Sequence, residues 1–351
     1  MFEKVNPGHP DKMADRLAGA VVDLVYERAG GLTKANPRVA CEVMAGHGRV
    51  DVQIETSLGR MDLRAEDIDP LIRRLFGERV EGNVLIAPQD AHLSENQTRG
   101  LRCGDNGIFR GCAPTYEQKV LTAIAASIYE RWPYDGKYII QDTVAKLTDK
   151  ATGKPLPFAS ERNIKGFTIC QSNAQKDELF AFIEEIAKEK GGHFIGDDKN
   201  GAISVDENKC CILIPDDKSE QMWGFYINPL GKWTGGPDVD CGCTNRKLGS
   251  DMGDGVTGGG LMGKDLSKAD VSVNIACYLK AVASGQVVTA MCSIGDESVT
   301  FQYADGRSET ETFADIVEMA RLYILTDCGG SFETFSEWGL LRPKAQVKSE
   351  E

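Results

Sequence analysis

A run of five residues near the amino end, Gly8-His9-Pro10-Asp11-Lys12, places an imidazole, a carboxylate and an ammonium side by side. Asp11 could hold a hard divalent cation, Lys12 could give a point charge to phosphate oxygens, and His9 could donate a hydrogen bond to a leaving oxygen. This cluster suits a metal-bound polyphosphate. A polar turn before a helix is the plainer interpretation, because proline and aspartate are ordinary helix-start residues.

A glycine-rich stretch in the last third of the chain, residues 257–270, offers matching chemistry. Its sequence TGGGLMGKDLSKAD runs glycines into two lysines, Lys264 and Lys268, and ends on a second candidate metal carboxylate, Asp270. Glycines such as Gly260 would let backbone amides approach phosphate closely, ahead of a helix that begins near Lys268. The two stretches together predict a site for a phosphorylated substrate.

Residues between 232 and 247 add cations and an aromatic ring. Lys232 and Trp233 offer a charge and a large surface that could cover a purine. Arg246 and Lys247 follow in a glycine-rich loop, and a fork of donors beside a lysine is what a triphosphate demands. Arg246 could equally be an ordinary surface arginine.

Composition bounds the class of protein. The chain has 351 residues, 41% hydrophobic and 26% charged, which is typical of an ordinary globular protein of two or three domains. The net charge of −13 argues against nucleic-acid and anionic-membrane partners. No apolar run approaches the roughly 20 residues that a membrane helix needs, and the amino end does not resemble a secretion signal. We therefore expect a cytoplasmic protein, with its eleven cysteines reduced and not spaced for zinc.

Periodicity predicts the elements that position these residues. An amphipathic helix is predicted from Lys12 to about residue 28. Two strands with alternating apolar and polar residues, 38–43 and 49–54, are predicted to form a hairpin through Gly46-His47-Gly48. Glu42 and Glu55 fall in these strands, where a glutamate is usually solvated. Further helices are predicted at 62–76, 115–130, 175–190, 268–283 and 313–325, and further strands at 83–87, 138–141, 166–170, 210–214, 225–228, 287–293 and 299–303.

Together the two signature stretches resemble the S-adenosylmethionine synthetase (methionine adenosyltransferase) family. That family has GHPDK near the amino terminus and GGGxFSGKDxxKVD in the last third. This chain carries the first intact and the second one residue shorter, with Leu261-Met262 in place of a small residue, Phe and Ser. Other matches keep the family order between about residues 6 and 285: RVACE (38–42), ET (55–56), GDNG (104–107), PYDGK (133–137), INP (227–229), GGP (235–237), DCG (240–242) and RK (246–247).

The resemblance implies synthesis of S-adenosylmethionine from ATP and L-methionine, with release of tripolyphosphate that the same site hydrolyses. It implies two Mg²⁺ per site on Asp11 and Asp270, and K⁺ on Glu42. Its catalytic residues would be His9, Lys137, Arg246 and Lys264. The implied ATP contacts are His9, Lys12, Asp135, Lys137, Lys232, Trp233, Asp240, Arg246, Lys247, Gly260 and Lys264, and the implied methionine contacts are Glu55, Gln89, Asp105, Asp240 and Lys268.

The resemblance also implies an α/β fold of three similar sheet-and-helix domains in a pseudo-threefold arrangement. The expected domains are 7–100 with 227–262, 1–6 with 116–226, and 101–115 with 263–351. We expect a homodimer or a dimer of dimers, with the active site at the subunit interface. There Glu55, Gln89 and Asp105 of one chain would meet the metal and phosphate residues of the other.

Four departures from the family pattern bear on substrate detail. Pro7 replaces the glutamate before GHPDK, Val271 replaces an arginine, the polar stretch 88–100 is shorter than the family's gate, and the chain is shorter after residue 285. Gln97 is an alternative to Gln89 for the gate glutamine. The alternative functions are adenosylation of another thioether or methionine analogue, and a non-catalytic regulatory member.

Overall fold

A computed structural model describes most of the chain, and its compact parts fall into two units. The described residues are 1–59, 61–90, 100–145, 148–149, 162–189, 193–194, 203–204, 209–216 and 219–343. The smaller unit comprises residues 1–6 and 120–235, and the larger comprises residues 7–119 and 236–351. Within the described part of the chain, no helix is both long enough and apolar enough to cross a membrane.

Helices and strands alternate along most of the chain. The helices are α1 (Pro10–Arg28), α2 (Ala65–Phe76), α3 (Tyr116–Arg131), α4 (Lys176–Glu189), α5 (Leu248–Met252), α6 (Ala269–Ser284), α7 (Phe313–Asp327) and α8 (Phe332–Trp338). The strands are β1 (Phe2–Val5), β2 (Val39–Gly46), β3 (Arg49–Thr56), β4 (Glu81–Pro88), β5 (Gly107–Gly111), β6 (Gly136–Ala145), β7 (Thr148–Asp149), β8 (Arg162–Gln171), β9 (His193–Phe194), β10 (Ile203–Ser204), β11 (Lys209–Asp216), β12 (Ser219–Ile227), β13 (Gly242–Cys243), β14 (Val288–Cys292), β15 (Ser298–Tyr303) and β16 (Ser308–Thr312).

The first sheet of the larger unit has the order β13–β2–β3–β4. β2 and β3 form an antiparallel hairpin whose turn places His47 and Gly48 at positive φ. β4 pairs parallel to β3, and α2 supplies the crossover that a parallel connection needs. Alternate residues of β2 and β3 are buried, on the face where α1 packs on β2 and α2 packs on β4, so the opposite face of this sheet carries the exposed residues.

The second sheet of the larger unit is antiparallel, with the order β16–β15–β14–β5. α6 and α7 pack on one of its faces, and α8 packs on α1. A Cβ on Gly111 would lie 2.0 Å from the Cys277 carbonyl oxygen, so β5 meets α6 closely only because residue 111 is glycine. The buried residues of both sheets form one continuous hydrophobic core.

The smaller unit is built on a sheet whose six described strands have the order β1–β6–β8–β12–β11–β9; β8 and β12 pair in parallel, and the other described pairs are antiparallel. Phe167, Trp223 and Phe225 pack against one another within this sheet, with the Phe167 and Phe225 rings stacked. α4 packs on β11, β12 and β9. β7 and β10 form a separate two-stranded sheet.

The predicted fold class of mixed sheets and helices is confirmed, and the sheets of both units carry helices. The predicted hairpin and the helices of the signature regions lie within a few residues of their expected bounds. The smaller unit comprises residues 1–6 and 120–235, and the predicted domain of 1–6 with 116–226 stays a prediction. The larger unit contains the other two sheets in one core, and its division into two domains stays a prediction.

Candidate functional site

The amino end of α1 fixes the imidazole and carboxylate of the first signature. His9 is the N-cap residue, and its Nδ1 accepts a hydrogen bond from the Asp11 backbone N–H at 3.2 Å. That bond makes Nδ1 an acceptor, so neutral His9 carries its proton on Nε2 and can donate from there. Pro10 occupies the first helical turn, where a missing N–H costs nothing.

Lys12 lies in a fully buried ion cluster. Its ammonium is 3.0 Å from Asp15 and 2.7 Å from Asp251, and none of the three side chains is exposed. Burial works to lower the pKa of Lys12, but the two carboxylates outweigh it and hold the pKa above its ordinary value. In this structure Lys12 joins α1 to α5, and its phosphate contact stays a prediction.

The loop from β13 to α5 is held against α1 by carboxylates of that helix. Asp11 accepts from the Cys243 backbone N–H at 2.9 Å, and Asp15 accepts from the Asn245 backbone N–H at 2.8 Å. The same Asp11 carboxylate lies 2.8 Å from the Lys247 ammonium and 3.5 Å from Arg246. Burial raises the pKa of Asp11, but the bonds from Lys247 and Cys243 more than offset it, so the pKa lies below its ordinary value.

The glycine-rich second signature runs directly beside this loop. A Cβ on Gly260 would lie 2.0 Å from the Asn245 side chain, and a Cβ on Gly259 would lie 2.0 Å from an Asp270 carboxylate oxygen. Only glycine permits both approaches. Lys264 pairs with Asp270 at 2.6 Å, so each predicted metal carboxylate has a lysine beside it.

Asp105 and Lys268, both assigned to the amino acid, lie next to each other. A carboxylate oxygen of Asp105 is 3.7 Å from the Lys268 ammonium in the same chain. Burial raises the pKa of Asp105, and Lys268 opposes that rise. We expected Asp105 to reach this set of residues from a second subunit. The Lys268 contact lies within one chain, where the Gly104 N–H bonds to the carbonyl of residue 267 at 3.2 Å, and a site shared between subunits stays a prediction.

Glu42 and Glu55 lie on the face of the first sheet that carries no helix. Both side chains are exposed, and Glu42 accepts a hydrogen bond from the Thr244 hydroxyl. The Gln89 backbone N–H bonds to Thr56 at 2.9 Å, which places Gln89 at the same sheet end as Glu55. The alternative glutamine, Gln97, lies outside the described residues.

The remaining candidates divide between the units. Asp240 belongs to the larger unit, where its exposed carboxylate caps the Cys241 N–H at 2.8 Å. The smaller unit holds buried Asp135, half-buried Lys137 on β6, exposed Lys232 and half-buried Trp233. Within that unit, Trp233 donates from Nε1 to the Asn228 side chain at 3.3 Å.

The predicted Mg²⁺ ligands fit a shared metal site better than a protein-only cage. Across the described residues, no group of three or more histidine, cysteine, aspartate or glutamate side chains could hold a metal ion. Mg²⁺ commonly takes one or two carboxylates together with substrate phosphates. Asp11 and Asp270, each beside a lysine that suits phosphate, match that donor set.

Sequence reasoning missed the residues that hold the signature segments in place. These are Asp15, Asn245 and Asp251, which link α1, the 243–247 loop and α5. Asp15 lies one helical turn beyond Asp11, but charged Arg16 beside it gave no sign that this carboxylate would be buried. Asp251 lies 239 positions from Lys12, and no local pattern indicated their contact.

Sequence comparison with known proteins finds relatives that share one name. No protein-family model matches the chain. S-adenosylmethionine synthases of Jannaschia sp. (strain CCS1), Acidiphilium cryptum (strain JF-5) and Brachyspira hyodysenteriae (strain ATCC 49526 / WA1) are 28%, 29% and 28% identical, over 82%, 83% and 88% of this chain and 73%, 74% and 78% of theirs.

A solved structure shares the fold. It is an S-adenosylmethionine synthetase from Campylobacter jejuni, described as unusual, which aligns with a TM-score of 0.55 at 18% identity. The alignment covers 95% of this chain and 88% of that one. The chain is therefore similar in sequence to S-adenosylmethionine synthases and shares the fold of the Campylobacter jejuni synthetase.

Proposed function

We propose that this protein forms S-adenosylmethionine from ATP and L-methionine, by attack of the methionine sulfur on the ATP 5′ carbon, and that it then hydrolyses the released tripolyphosphate. The names of its relatives support this reaction. The structural observation that carries the proposal is the pair of ion contacts on segment 264–270. Lys264 with Asp270 suits a metal-bound phosphate, and Lys268 with Asp105 suits an amino acid.

The reaction places simple demands on the protein. A thioether sulfur is neutral and already nucleophilic, so the displacement needs no general base. The protein must align sulfur, carbon and leaving oxygen, and it must stabilise charge that develops on the triphosphate. Groups fixed before the substrate arrives do this best, because they need no reorganisation during the reaction.

The cations beside Asp11 and Asp270 would stabilise the triphosphate. Lys247 and Lys264 are already positioned by their carboxylate partners, and Arg246, beside Asp11, has an exposed guanidinium. His9, with its Nδ1 bonded to backbone, would donate from Nε2 to the leaving oxygen. Mg²⁺ bound by Asp11 and Asp270 would supply further charge to the phosphates.

Asp105 and Lys268 would hold the two charges of methionine. The zwitterion presents an ammonium and a carboxylate a few bonds apart, and an aspartate beside a lysine offers the complementary charges. Glu55, Gln89 and Asp240 are further proposed methionine contacts. Glu42 is proposed as the K⁺ ligand. The ATP roles of Asp135, Lys137, Lys232 and Trp233 stay predictions.

The open sheet faces support a proposed homodimer or dimer of dimers. Met44 and Leu85 on the first sheet, and Ile108 and Met291 on the second, each leave more than half of the residue exposed. Apolar side chains on a face without helices are typical of a subunit contact. Sedimentation at assay concentration should then show a dimer or tetramer, and a fully active monomer would contradict this proposal.

The direct test is incubation of the full chain with ATP, Mg²⁺, K⁺ and methionine, read for S-adenosylmethionine and phosphate. We expect both products, their loss in Asp270→Asn, and near-normal rates in Asp254→Asn, which changes an exposed aspartate on the short turn after α5. A larger thioether analogue run in parallel identifies the preferred substrate. ATP binding without any adenosylated product would overturn the proposed reaction in favour of a regulatory role.

A further inference from the structure

Two buried thiols meet directly beneath Asp105. The sulfur atoms of Cys103 and Cys292 are 3.1 Å apart, and each residue is at most 3% exposed. The loop containing Cys103 is fastened to the turn after β14 by two backbone bonds, Cys103 N–H to Asp296 at 3.0 Å and Gly295 N–H to Cys103 at 2.9 Å. The close approach of the sulfurs is therefore built into the backbone.

The two thiols differ in acidity in the way that favours exchange. The hydrogen bond between them lowers the pKa of Cys103, because the Cys292 S–H can stabilise a Cys103 thiolate. The same bond, together with burial, raises the pKa of Cys292. Cys103 is thus the better nucleophile of the pair, and Cys292 keeps its proton until a second step.

We propose that Cys103 and Cys292 form a redox-active dithiol that reacts with a small disulfide of the glutathione type and closes to an intramolecular disulfide. The Cys103 thiolate attacks one sulfur of the small disulfide, forms a mixed disulfide and releases one thiolate. Cys292 then attacks the Cys103 sulfur, its proton passes to the second leaving thiolate, and the bond to the small thiol breaks. Two protein thiols are oxidised and one small disulfide is reduced to two thiols.

The dithiol is coupled to Asp105 through the backbone. The Cys103 S–H donates to the Asp105 carbonyl oxygen at 2.9 Å, and Cys292 lies 3.8 Å from the same oxygen. A disulfide removes both S–H donors and draws the sulfurs to about 2.05 Å. The Asp105 turn then loses a hydrogen bond and shifts toward β14. This consequence for methionine binding rests on the proposed function, whereas disulfide formation does not.

The chemical test uses the full-length reduced protein, treated with excess glutathione disulfide, alkylated, digested and analysed by mass spectrometry. We expect a peptide pair linked through Cys103 and Cys292. Cys292→Ser should instead trap glutathione on Cys103. Cys170→Ser, which changes a half-buried cysteine on β8, is the matched control and should leave the link intact. Recovery of both buried thiols in alkylated form, with glutathione on exposed Cys241 alone, would overturn the proposal.

The functional test compares the methionine KM of reduced and oxidised protein. An unsatisfied buried acceptor predicts a rise of about tenfold, with the ATP KM little changed and reversal by dithiothreitol. Cys103→Ser keeps a donor for the Asp105 carbonyl and should show no response to glutathione disulfide. A linked protein with an unchanged methionine KM would refute the coupling to Asp105. Absence of product from reduced protein would refute the proposed function, with the linkage still judged by mass.

Discussion

Two regions of the larger unit hold their charged residues in opposite ways. In the first, which we call the anchor cluster, Asp11, Lys12, Asp15 and Asp251 are almost completely buried and bond to one another's segments. In the second, the open sheet face, carboxylates such as Glu55 stand on a strand with their side chains in solvent. Both regions belong to the same predicted site.

The difference separates two ways of placing a charge. The anchor cluster positions charges and also holds helices together. Asp11 contacts Arg246 and Lys247, and the adjacent Lys12 joins α1 to α5 through Asp251. Its residues should therefore affect folding as well as activity. The open sheet face contributes charges whose contacts within the chain are few, so its residues should affect substrate binding and leave stability unchanged.

Lys12→Met should have the largest effect among the variants that test the anchor cluster. Removing the ammonium leaves Asp15 and Asp251 buried without a countercharge, and loss of one partner from a buried ion cluster costs about 3–5 kcal/mol. Urea unfolding at pH 8 should show that loss. Exposed Lys232→Met is the matched control, and a second change, Asp15→Asn, should restore part of the stability. An unchanged unfolding midpoint in Lys12→Met would remove the anchor role.

Asp15 should make the protein less stable as the pH rises. A carboxylate whose pKa is lowered by folding has the opposite effect. Burial raises its pKa from 3.8 to about 6, so between these values the native protein holds a proton that the unfolded chain releases. The contribution of Asp15 to the free energy of unfolding is fully present below about pH 4. It falls by roughly 3 kcal/mol as the pH rises through 6.

The check is a series of urea midpoints between pH 4 and 7. Asp15→Asn should lack this part of the fall seen in the wild type, and exposed Asp254→Asn should keep it. Parallel curves for the wild type and Asp15→Asn would contradict the assigned pKa.

The sequence predicted local structure well because local structure depends on neighbouring residues. The apolar stripe of α1 and the alternation in β2 and β3 specify those elements, and both lie where expected. The short strands β5 and β13 were missed. β5 holds only five residues, three of them Gly or Arg, and its pairing with β14 joins positions far apart in the chain.

The candidate site shows which contacts the sequence can and cannot predict. Asp105 and Lys268, both assigned to methionine, lie next to each other, and that role stays a prediction. Lys12 was assigned to phosphate because its ammonium is a point charge within the first signature. Its ion pair with Asp251, more than two hundred positions away, is visible only in the folded structure. Burial of a charge is a tertiary property that no local pattern reports.

Asp11→Asn tests the proposed catalytic contribution of the anchor cluster. Asparagine keeps the size and the oxygen that accepts from Cys243, but it lacks the charge that Lys247 and a metal ion would use. Turnover should fall at least about 100-fold, the scale of losing one preorganised charge-stabilising group. Product formation at saturating ATP and methionine measures this, with Asp254→Asn as the control. Near-normal turnover would contradict the assignment of Asp11 as a metal ligand.

Glu55→Gln is the smallest change and the sharpest test of the open sheet face. Glutamine keeps the length of the side chain and removes only the charge that would face the methionine ammonium, so the methionine KM should rise by about tenfold while the ATP KM holds. Because the side chain is exposed, the urea midpoint should equal that of the wild type. Glu81→Gln makes the same substitution at the other end of the sheet, where no substrate contact is proposed, and should change neither quantity. A loss of stability in Glu55→Gln would show that this face is structural after all, whereas a normal methionine KM would remove Glu55 from the site and leave the anchor cluster untouched.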